Sequence, residues 1–279
     1  MGTMNLVKIC FDYYKVVIFD SQKTLNIELE HFFFGGFRMI TAGIDIGSTT
    51  VKCAILKDGE IIATAIDFTG YNVKEAWKKI LYNAVEKAGI SRDKIDRIIS
   101  TGYGRESVDI ANKKITEITC HGAGAHFLQP NVRTVIDIGG QDSKAISLDK
   151  NGRVLDFVMN DKCAAGTGRF LEVMARAMEV DLDQFGKLSM EAKDPVKISS
   201  LCTVFAESEV ISMISQGKSR EDIIAGIHRS IASRVYSMAS RLDIRPPIML
   251  TGGVAKNKGL VKELSEKVGQ DLIISHMHN

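Results

Sequence analysis

The sequence of 279 residues lacks the hallmarks of several protein classes. Its five cysteines are an odd number without a C-x-x-C pair, which argues against a secreted disulfide framework and favours a reducing cytoplasm. With 36 basic and 34 acidic residues, the net charge of +2 creates no large field of one sign, so neither nucleic acid nor an anionic membrane is an expected partner. No apolar run approaches the roughly 20 residues of a membrane span.

Residues 1–38 carry no targeting pattern either. Apolar runs such as "YYKVVIF" are interrupted or followed closely by Lys15, Asp20 and Lys23, and no cleavage site of small residues follows a basic and an apolar stretch. A first strand with a glycine turn opens at Met39. We therefore expect Met39 to be the biological start and residues 1–38 to be a leader outside the fold.

From Met39 onward the sequence pattern alternates strands and helices. Apolar runs with tight turns predict strands at residues 40–46, 51–56 and 60–68. An apolar stripe at helical spacing predicts a helix over residues 73–87, and Gly89 is the expected stop signal.

The same opening occurs a second time. Strands are predicted at residues 133–138, 143–148 and 153–159, again with tight turns between them. Three strands followed by helices thus appear twice, which indicates a mixed α/β fold in two related halves, residues 39–132 and 133–279.

The two halves share a short motif in the turn between their first two strands. "GIDIGSTTVKCAI" and "VIDIGGQDSKAI" align with one offset of 92 residues (137 − 45), which also relates Gly47 to Gly139 and Lys52 to Lys144. Glycine lets backbone N–H groups approach a phosphate, hydroxyls add donors, and an aspartate at a strand end can hold Mg²⁺. A single such hairpin is common in sheets, but two in register predict one polyphosphate site clamped from both sides.

The turn residues are the candidate phosphate ligands. They comprise Ser48, Thr49 and Thr50 in the first copy and Gly140, Gln141 and Asp142 in the second. A further glycine-rich stretch, "TGGVAKNKG", follows an apolar strand and leads into a helix, an arrangement that favours nucleotide binding at Gly252 and Gly253. No P-loop and no complete G-x-G-x-x-G fingerprint occurs in the chain.

These motifs together resemble the superfamily of actin, Hsp70 and sugar-kinase ATPases. "DIGSTT" is similar to its first phosphate motif, "DIGGQD" to its second and "TGGVAKN" to its adenosine motif. The resemblance implies two actin-like (ribonuclease H-like) α/β halves with ATP or ADP in the cleft between them. It also implies that Asp45 and Asp137 handle Mg²⁺ and its water, while Asp137 and Asp142 both remain candidates for activating the attacking water.

Two of the five cysteines stand out by their position before expected helices. Cys163 lies in "NDKCAAGTGRF" and Cys202 in "SSLCTVFAESEV", and the N-terminus of a helix stabilises a thiolate or an anionic ligand cluster. Small buried cysteines are the alternative interpretation, which we favour for Cys10, Cys53 and Cys120.

The stretches around Cys163 and Cys202, with "DIIAGIHRSIASRV", resemble the activators of (R)-2-hydroxyacyl-CoA dehydratases, a family that includes ATPase subunits of benzoyl-CoA reductase. The resemblance covers about residues 39–274. It implies that each chain ligates half of one 4Fe-4S cluster shared across a homodimer. It further implies an ATPase coupled to electron transfer, which takes an electron from ferredoxin or flavodoxin and passes it to the dehydratase.

Other interpretations stay open at the level of sequence. A cluster-free sugar or carboxylate kinase, a benzoyl-CoA reductase subunit and a non-catalytic ATP-dependent regulator all share the nucleotide motifs. His228 and Arg229 either contact nucleotide or a partner, or form the polar edge of an amphipathic helix, which we favour. Glu207 and Glu209 are expected to meet ribose or a neighbouring helix. Because family members continue past the stretch "DLIIS", the second half is expected to be truncated at its C-terminus.

Overall fold

The computed structural model describes residues 39–199 and 202–274. The proposed leader, Cys10 within it, and the end of the chain after residue 274 lie outside the described residues. The described chain forms two compact units, one that ends at Gly124 and one that begins at Ala125. The sequence-based halves had their boundary after residue 132.

The sheet of the first unit has five strands. They are β1 (Ile40–Ile46), β2 (Thr50–Lys57), β3 (Glu60–Phe68), β4 (Arg97–Thr101) and β5 (Lys113–Lys114), in the spatial order β3-β2-β1-β4-β5. The first three strands pair antiparallel through tight turns, whereas β4 runs parallel to β1. A crossover connection is needed to place two strands parallel, and helix α1 (Val73–Lys87) provides it.

Local signals explain the bounds of α1. The Asn72 side chain accepts a hydrogen bond from the Glu75 N–H at the start of the helix, and Gly89 has a positive φ of 63° just after its end. The buried stripe of α1 packs on the sheet around Trp77 and Ile80. The predicted helix is therefore confirmed with its bounds.

The sheet of the second unit repeats this topology. It contains β6 (Thr134–Ile138), β7 (Ser143–Leu148), β8 (Val154–Asn160), β9 (Ile248–Thr251) and β10 (Ile273–Ile274), in the order β8-β7-β6-β9-β10. Again the first three strands are antiparallel and the fourth runs parallel to the first. The prediction of a mixed α/β fold in two related parts is confirmed.

The described residues also contain six further α-helices. They are α2 (Glu117–Leu128), α3 (Gly168–Ala177), α4 (Leu182–Ser189), α5 (Thr203–Ser215), α6 (Arg220–Ala239) and α7 (Lys258–Val268). Helix α6 is buried along much of its length and lies in the core of the second unit with residues of α3, α4 and α7. No helix within the described residues is long and apolar enough to cross a membrane.

Candidate functional site

The first repeated motif forms a tight turn between β1 and β2. The Gly47 N–H donates to the Thr50 carbonyl over 3.0 Å, and the Thr69 hydroxyl donates to the Gly47 carbonyl over 2.8 Å. Ser48 and Thr49 are exposed at the tip of the turn. Their hydroxyl groups are thus accessible to an anion, and the closed hydrogen bonds hold the turn in shape.

Behind this turn, Asp45 and Lys52 form a buried ion pair. The two residues face each other across the hairpin, and Lys52 Nζ lies 3.0 Å from Asp45 Oδ2. Since both residues are buried, the lysine compensates the charge of the carboxylate where solvent screening is weak. Asp45 therefore has one oxygen engaged by Lys52.

The second motif forms an equivalent turn between β6 and β7. The Gly139 N–H donates to the Asp142 carbonyl over 2.9 Å, and Gly140 and Gln141 are exposed at the tip. A Cβ added to Gly140 would meet no atom within 4 Å. The backbone at Gly140 is consequently open to close approach by a ligand.

Behind the second turn, one fully buried lysine forms ion pairs with two carboxylates. Lys144 Nζ lies 2.7 Å from Asp142 Oδ2 and 3.6 Å from Asp137 Oδ2. Asp137 is buried and also accepts a hydrogen bond from the Thr251 hydroxyl over 3.0 Å, whereas the Asp142 side chain is 13% exposed. Asp142 is thus the more accessible of the two candidate bases.

A second repeat was not recognised from the sequence. It is a threonine followed by a glycine at the end of the strand that runs parallel to each aspartate-bearing strand. Thr101 lies opposite Asp45 in the parallel pairing of β1 and β4, and Thr251 lies opposite Asp137 in that of β6 and β9. Each is followed by a glycine of positive φ, Gly102 at 85° and Gly252 at 89°. The signal was present as "STGYG" and "LTGGV", but only strand pairing shows that the two stretches are equivalent.

Both glycines pack against the repeated motif. A Cβ on Gly102 would lie 2.3 Å from the Ile46 carbonyl oxygen, and one on Gly252 would lie 2.2 Å from that of Ile138. Glycine is therefore required for the close approach as well as for the positive φ. In each unit the end of the parallel strand is held against the strand that carries the aspartate.

The adenosine-type motif continues from Gly252 into a short helical turn and then α7. The turn spans Gly253–Lys256, and the Asn257 side chain accepts from the Leu260 N–H to cap α7. The Asn257 amide nitrogen lies 3.0 Å from His228 Nε2 on α6. Since Asn257 Oδ1 is engaged by the cap, Nδ2 is the donor and the imidazole nitrogen accepts.

The expectation that His228 lies on a polar edge is wrong. The side chain is fully buried, and its ring packs edge-on against Phe185 at a centroid distance of 6.0 Å. Burial lowers the pKa of His228 to about 4. Its neighbour Arg229 does reach the surface, where it pairs with Glu263 over 3.3 Å.

The two singled-out cysteines are both exposed and free. The Cys163 backbone is held by Asn160, whose amide donates to the Cys163 carbonyl over 2.8 Å, while the Cys163 N–H donates to Asn160 Oδ1 over 3.2 Å. Cys202 is the N-cap residue of α5, as the sequence indicated. By contrast, Cys53 and Cys120 are fully buried, as expected.

Arg234 on α6 relates the two exposed cysteines to each other. Burial lowers the pKa of the Arg234 guanidinium, and negative charge on Cys163 and Cys202 opposes that shift. The loop that holds Cys163 also approaches α6, since a Cβ on Gly166 would lie 3.8 Å from the Arg234 Cβ. Arg234, which the sequence did not single out, is thus a basic residue whose electrostatic surroundings include both cysteines.

Glu209 is engaged close to the start of α5. Its carboxylate accepts from the Ser199 N–H over 2.9 Å and from the Ser199 hydroxyl over 2.8 Å. It thus ties the segment before Cys202 to the helix that follows. Among the described residues, no group of three or more His, Cys, Asp or Glu side chains is arranged to hold a metal ion.

The comparisons with known proteins show the family. The family model described as the BadF/BadG/BcrA/BcrD ATPase family matches residues 42–279. The chain belongs to this family. The prediction of an ATPase related to the dehydratase activators and benzoyl-CoA reductase subunits is thereby confirmed.

Individual relatives agree with this assignment. The activator of lactoyl-CoA dehydratase from Anaerotignum propionicum is 49% identical over 238 residues, which are 85% of this chain and 92% of the relative. The crystal structure of (R)-2-hydroxyglutaryl-CoA dehydratase component A from Acidaminococcus fermentans has a TM-score of 0.81 at 48% identity and covers 85% of this chain and 92% of its own.

A second solved structure was determined with a nucleotide analogue. It is the activator of the 2-hydroxyisocaproyl-CoA dehydratase from Clostridium difficile with bound ADPNP, with a TM-score of 0.78 at 47% identity. It covers 85% of this chain and 88% of its own. The predicted actin-like fold is confirmed by these similarities together with the two sheets.

Proposed function

We propose that this protein is an ATP-dependent activator that passes a single low-potential electron to a 2-hydroxyacyl-CoA dehydratase. The observation that carries the proposal is the pair of exposed cysteines, Cys163 and Cys202, in a member of this ATPase family. The similar proteins from Anaerotignum propionicum and Acidaminococcus fermentans are named after lactoyl-CoA and (R)-2-hydroxyglutaryl-CoA dehydratases.

In this proposal both repeated turns contribute groups that bind the phosphates of ATP or ADP. Exposed hydroxyls of Ser48 and Thr49 and the open backbone at Gly140 are the groups that can approach the phosphates. Asp45 and Asp137 would be the residues that hold Mg²⁺, since carboxylate oxygens are a hard ligand type that this ion prefers. The ADPNP bound to the similar activator from Clostridium difficile supports a nucleotide as the ligand.

Lys52 and Lys144 have a structural part in this site. Each pairs with a buried carboxylate behind its turn and so helps to hold that aspartate in place. Asp142 combines partial exposure with a lysine contact, so it is the residue that we assign to positioning of the attacking water. Gly252 and Gly253 provide the backbone on the adenine side.

The residues fit one half of an iron–sulfur site. Thiolates are the ligands of a 4Fe-4S cluster, and this chain offers two accessible thiols near one arginine. A 4Fe-4S cluster needs four thiolates and this chain offers two exposed ones, so the other two would come from a second copy across a two-fold axis. When bound, the cluster would supply one-electron chemistry at low potential.

The partners follow from this chemistry. A reduced ferredoxin or flavodoxin donates the electron, and the dehydratase accepts it, with both reactions in a reducing cytoplasm. Binding or hydrolysis of ATP biases the protein between two states that differ in the surroundings of Cys163 and Cys202.

Iron and acid-labile sulfide measured after strictly anaerobic purification test the proposal. We expect about four of each per dimer, with an absorption band that bleaches on reduction by dithionite. Cys163→Ala and Cys202→Ala should each abolish iron binding while nucleotide binding persists, and Cys53→Ala is the matched control with a buried thiol. An iron-free dimer that phosphorylates a sugar or carboxylate would support the kinase alternative and contradict this one.

A further inference from the structure

The loop that carries Cys163, residues 161–167, is attached at one end to the start of β7, directly after the turn of residues 139–142, and at the other end to that turn itself. We propose that a ligand bound at that turn changes the position of this loop and thereby the accessibility of Cys163. Gly168 is the positioning residue that couples the turn to the loop. The inference rests on the proposed function, in which the turn contacts the phosphates of ATP and Cys163 is a cluster ligand.

The first attachment is made by Asn160. This last residue of β8 pairs with Ser143, the first residue of β7, directly after the turn. From there its amide nitrogen donates to the carbonyls of Cys163 over 2.8 Å and Ala165 over 3.4 Å, and its oxygen accepts from the Cys163 N–H. A shift of the strand at Ser143 is thus passed through one side chain to the Cys163 backbone.

The second attachment is made by the first residues of α3. The Gly168 N–H donates to the Gly139 carbonyl over 2.8 Å, and the Arg169 N–H donates to the Gly140 carbonyl over 2.8 Å. The first N–H groups of a helix have no partner within the helix, so the turn satisfies groups that would otherwise need water or a ligand. Movement of the turn consequently pulls on the start of α3.

The loop between these attachments is closed on itself. The buried Thr167 hydroxyl donates to the Ala164 carbonyl over 2.6 Å, and the Thr167 N–H donates to the same carbonyl over 3.0 Å. A segment with such internal bonds is expected to move as one piece. Displacement of either end is therefore expected to reach Cys163.

Gly168 lies close to both glycines of the second turn and to the adenosine-type motif. A Cβ at this position would be 3.3 Å from the Gly139 oxygen, 3.3 Å from the Gly140 Cα and 3.4 Å from Cγ2 of Val254 in the adenosine-type motif. An alanine would fit only if these neighbours gave way by a few tenths of an ångström. Gly168 is not among the residues with positive φ, so alanine suits the helical backbone there and Gly168→Ala should fold.

The test uses the full chain freed of iron, with the alkylation rate of Cys163 by iodoacetamide as the readout. Rates are measured by mass spectrometry of the Cys163 peptide without nucleotide, with ADP and with ADPNP. In the wild type we expect the ADPNP-bound and nucleotide-free rates to differ by about fivefold or more, the lower range of typical coupling between sites. In Gly168→Ala the ratio should fall below about twofold, although ADPNP still binds.

Two further variants sharpen the test. Asn160→Ala cuts the other attachment and should reduce the same ratio, whereas Glu172→Ala, on the exposed face of α3, should leave it unchanged. A merely structural role of Gly168 would change the labelling rate in every nucleotide state and leave the ratio intact. That result, or a wild type that binds ADPNP without any change at Cys163, would overturn the inference.

The iron content separates this inference from the proposed function. A protein that holds the cluster but shows no nucleotide-dependent labelling contradicts the inference alone. A protein that shows the ratio but never binds iron contradicts the cluster and supports a nucleotide-sensing loop. A wild type that binds no nucleotide contradicts both.

Discussion

Gly102 and Gly252 have the same relationship to their strands in the two units of this protein. Each follows a threonine at the end of the parallel strand, each has a positive φ, and each lies against the last carbonyl of the aspartate-bearing strand, Ile46 in one unit and Ile138 in the other. The internal repeat of this protein therefore extends beyond the phosphate-type turns.

Alanine at either glycine should destabilise the fold strongly. The new Cβ would meet a carbonyl oxygen at 2.3 Å or 2.2 Å in addition to the cost of a left-handed backbone. Gly70→Ala is the matched control, because its φ is also positive but no atom lies within 4 Å of the added Cβ, so only the backbone cost of about 1–2 kcal/mol applies. Urea unfolding measures the difference, and equal losses in Gly102→Ala and Gly70→Ala would contradict the packing argument.

Lys144→Met should lower the free energy of unfolding by about 3–5 kcal/mol, because it leaves two carboxylates without their buried cation. Combining it with Asp142→Asn should recover part of that loss, since one of the two charges is removed. Lys150→Met at the exposed end of the hairpin is the control and should change the stability by no more than about 0.5 kcal/mol. Chemical denaturation of the wild type and the three variants measures these free energies of unfolding. A Lys144→Met protein as stable as the wild type would contradict the prediction.

Alkylation of the native, iron-free protein should distinguish the described cysteines sharply. Cys163 and Cys202 are exposed and should react, whereas Cys120 is fully buried and burial raises the pKa of the Cys53 thiol to about 12. The thiolate is the reactive species, so Cys53 should stay unmodified until the protein is unfolded. Peptide mapping with and without urea gives the answer, and rapid native labelling of Cys53 would disagree with its burial.

Stability should fall in mild acid because of His228. Its folded pKa of about 4 lies below the ordinary value of 6.5, so only the unfolded chain takes up a proton at this site between those pH values. The contribution is complete above pH 6.5 and is lost as the pH falls toward 4, by up to about 3 kcal/mol at the lower end.

His228→Gln provides the comparison for this pH dependence. Glutamine keeps an acceptor for the Asn257 amide but does not titrate, so its unfolding free energy should fall less between pH 6.5 and 4.5 than that of the wild type. Denaturant titrations at several pH values measure both proteins. Parallel pH profiles would mean that other groups carry the acid sensitivity.

The local sequence was sufficient for the repeated hairpins and for α1. Their strands, turns and caps depend on residues within a few positions of one another, as in the turn from Gly47 to Thr50 and in the cap at Asn72. Alternating burial and glycine turns specify such elements without help from the rest of the chain. Cys163 and Cys202 were likewise recognised from the stretches around them.

Only the tertiary structure decided which distant residues meet. Gly102 lies against Ile46 through parallel strand pairing, Arg234 lies near the loop that carries Cys163, and His228 turns inward to bind Asn257. An amphipathic pattern cannot reveal a buried polar side chain such as His228, because the partner of that side chain comes from another helix. No spacing rule links Gly168 to the second phosphate-type turn. The sequence by itself determined the two α/β repeats and the candidate ligands. The packing of α3, α6 and α7 decided how those ligands are held, because this packing depends on contacts between residues far apart in the chain.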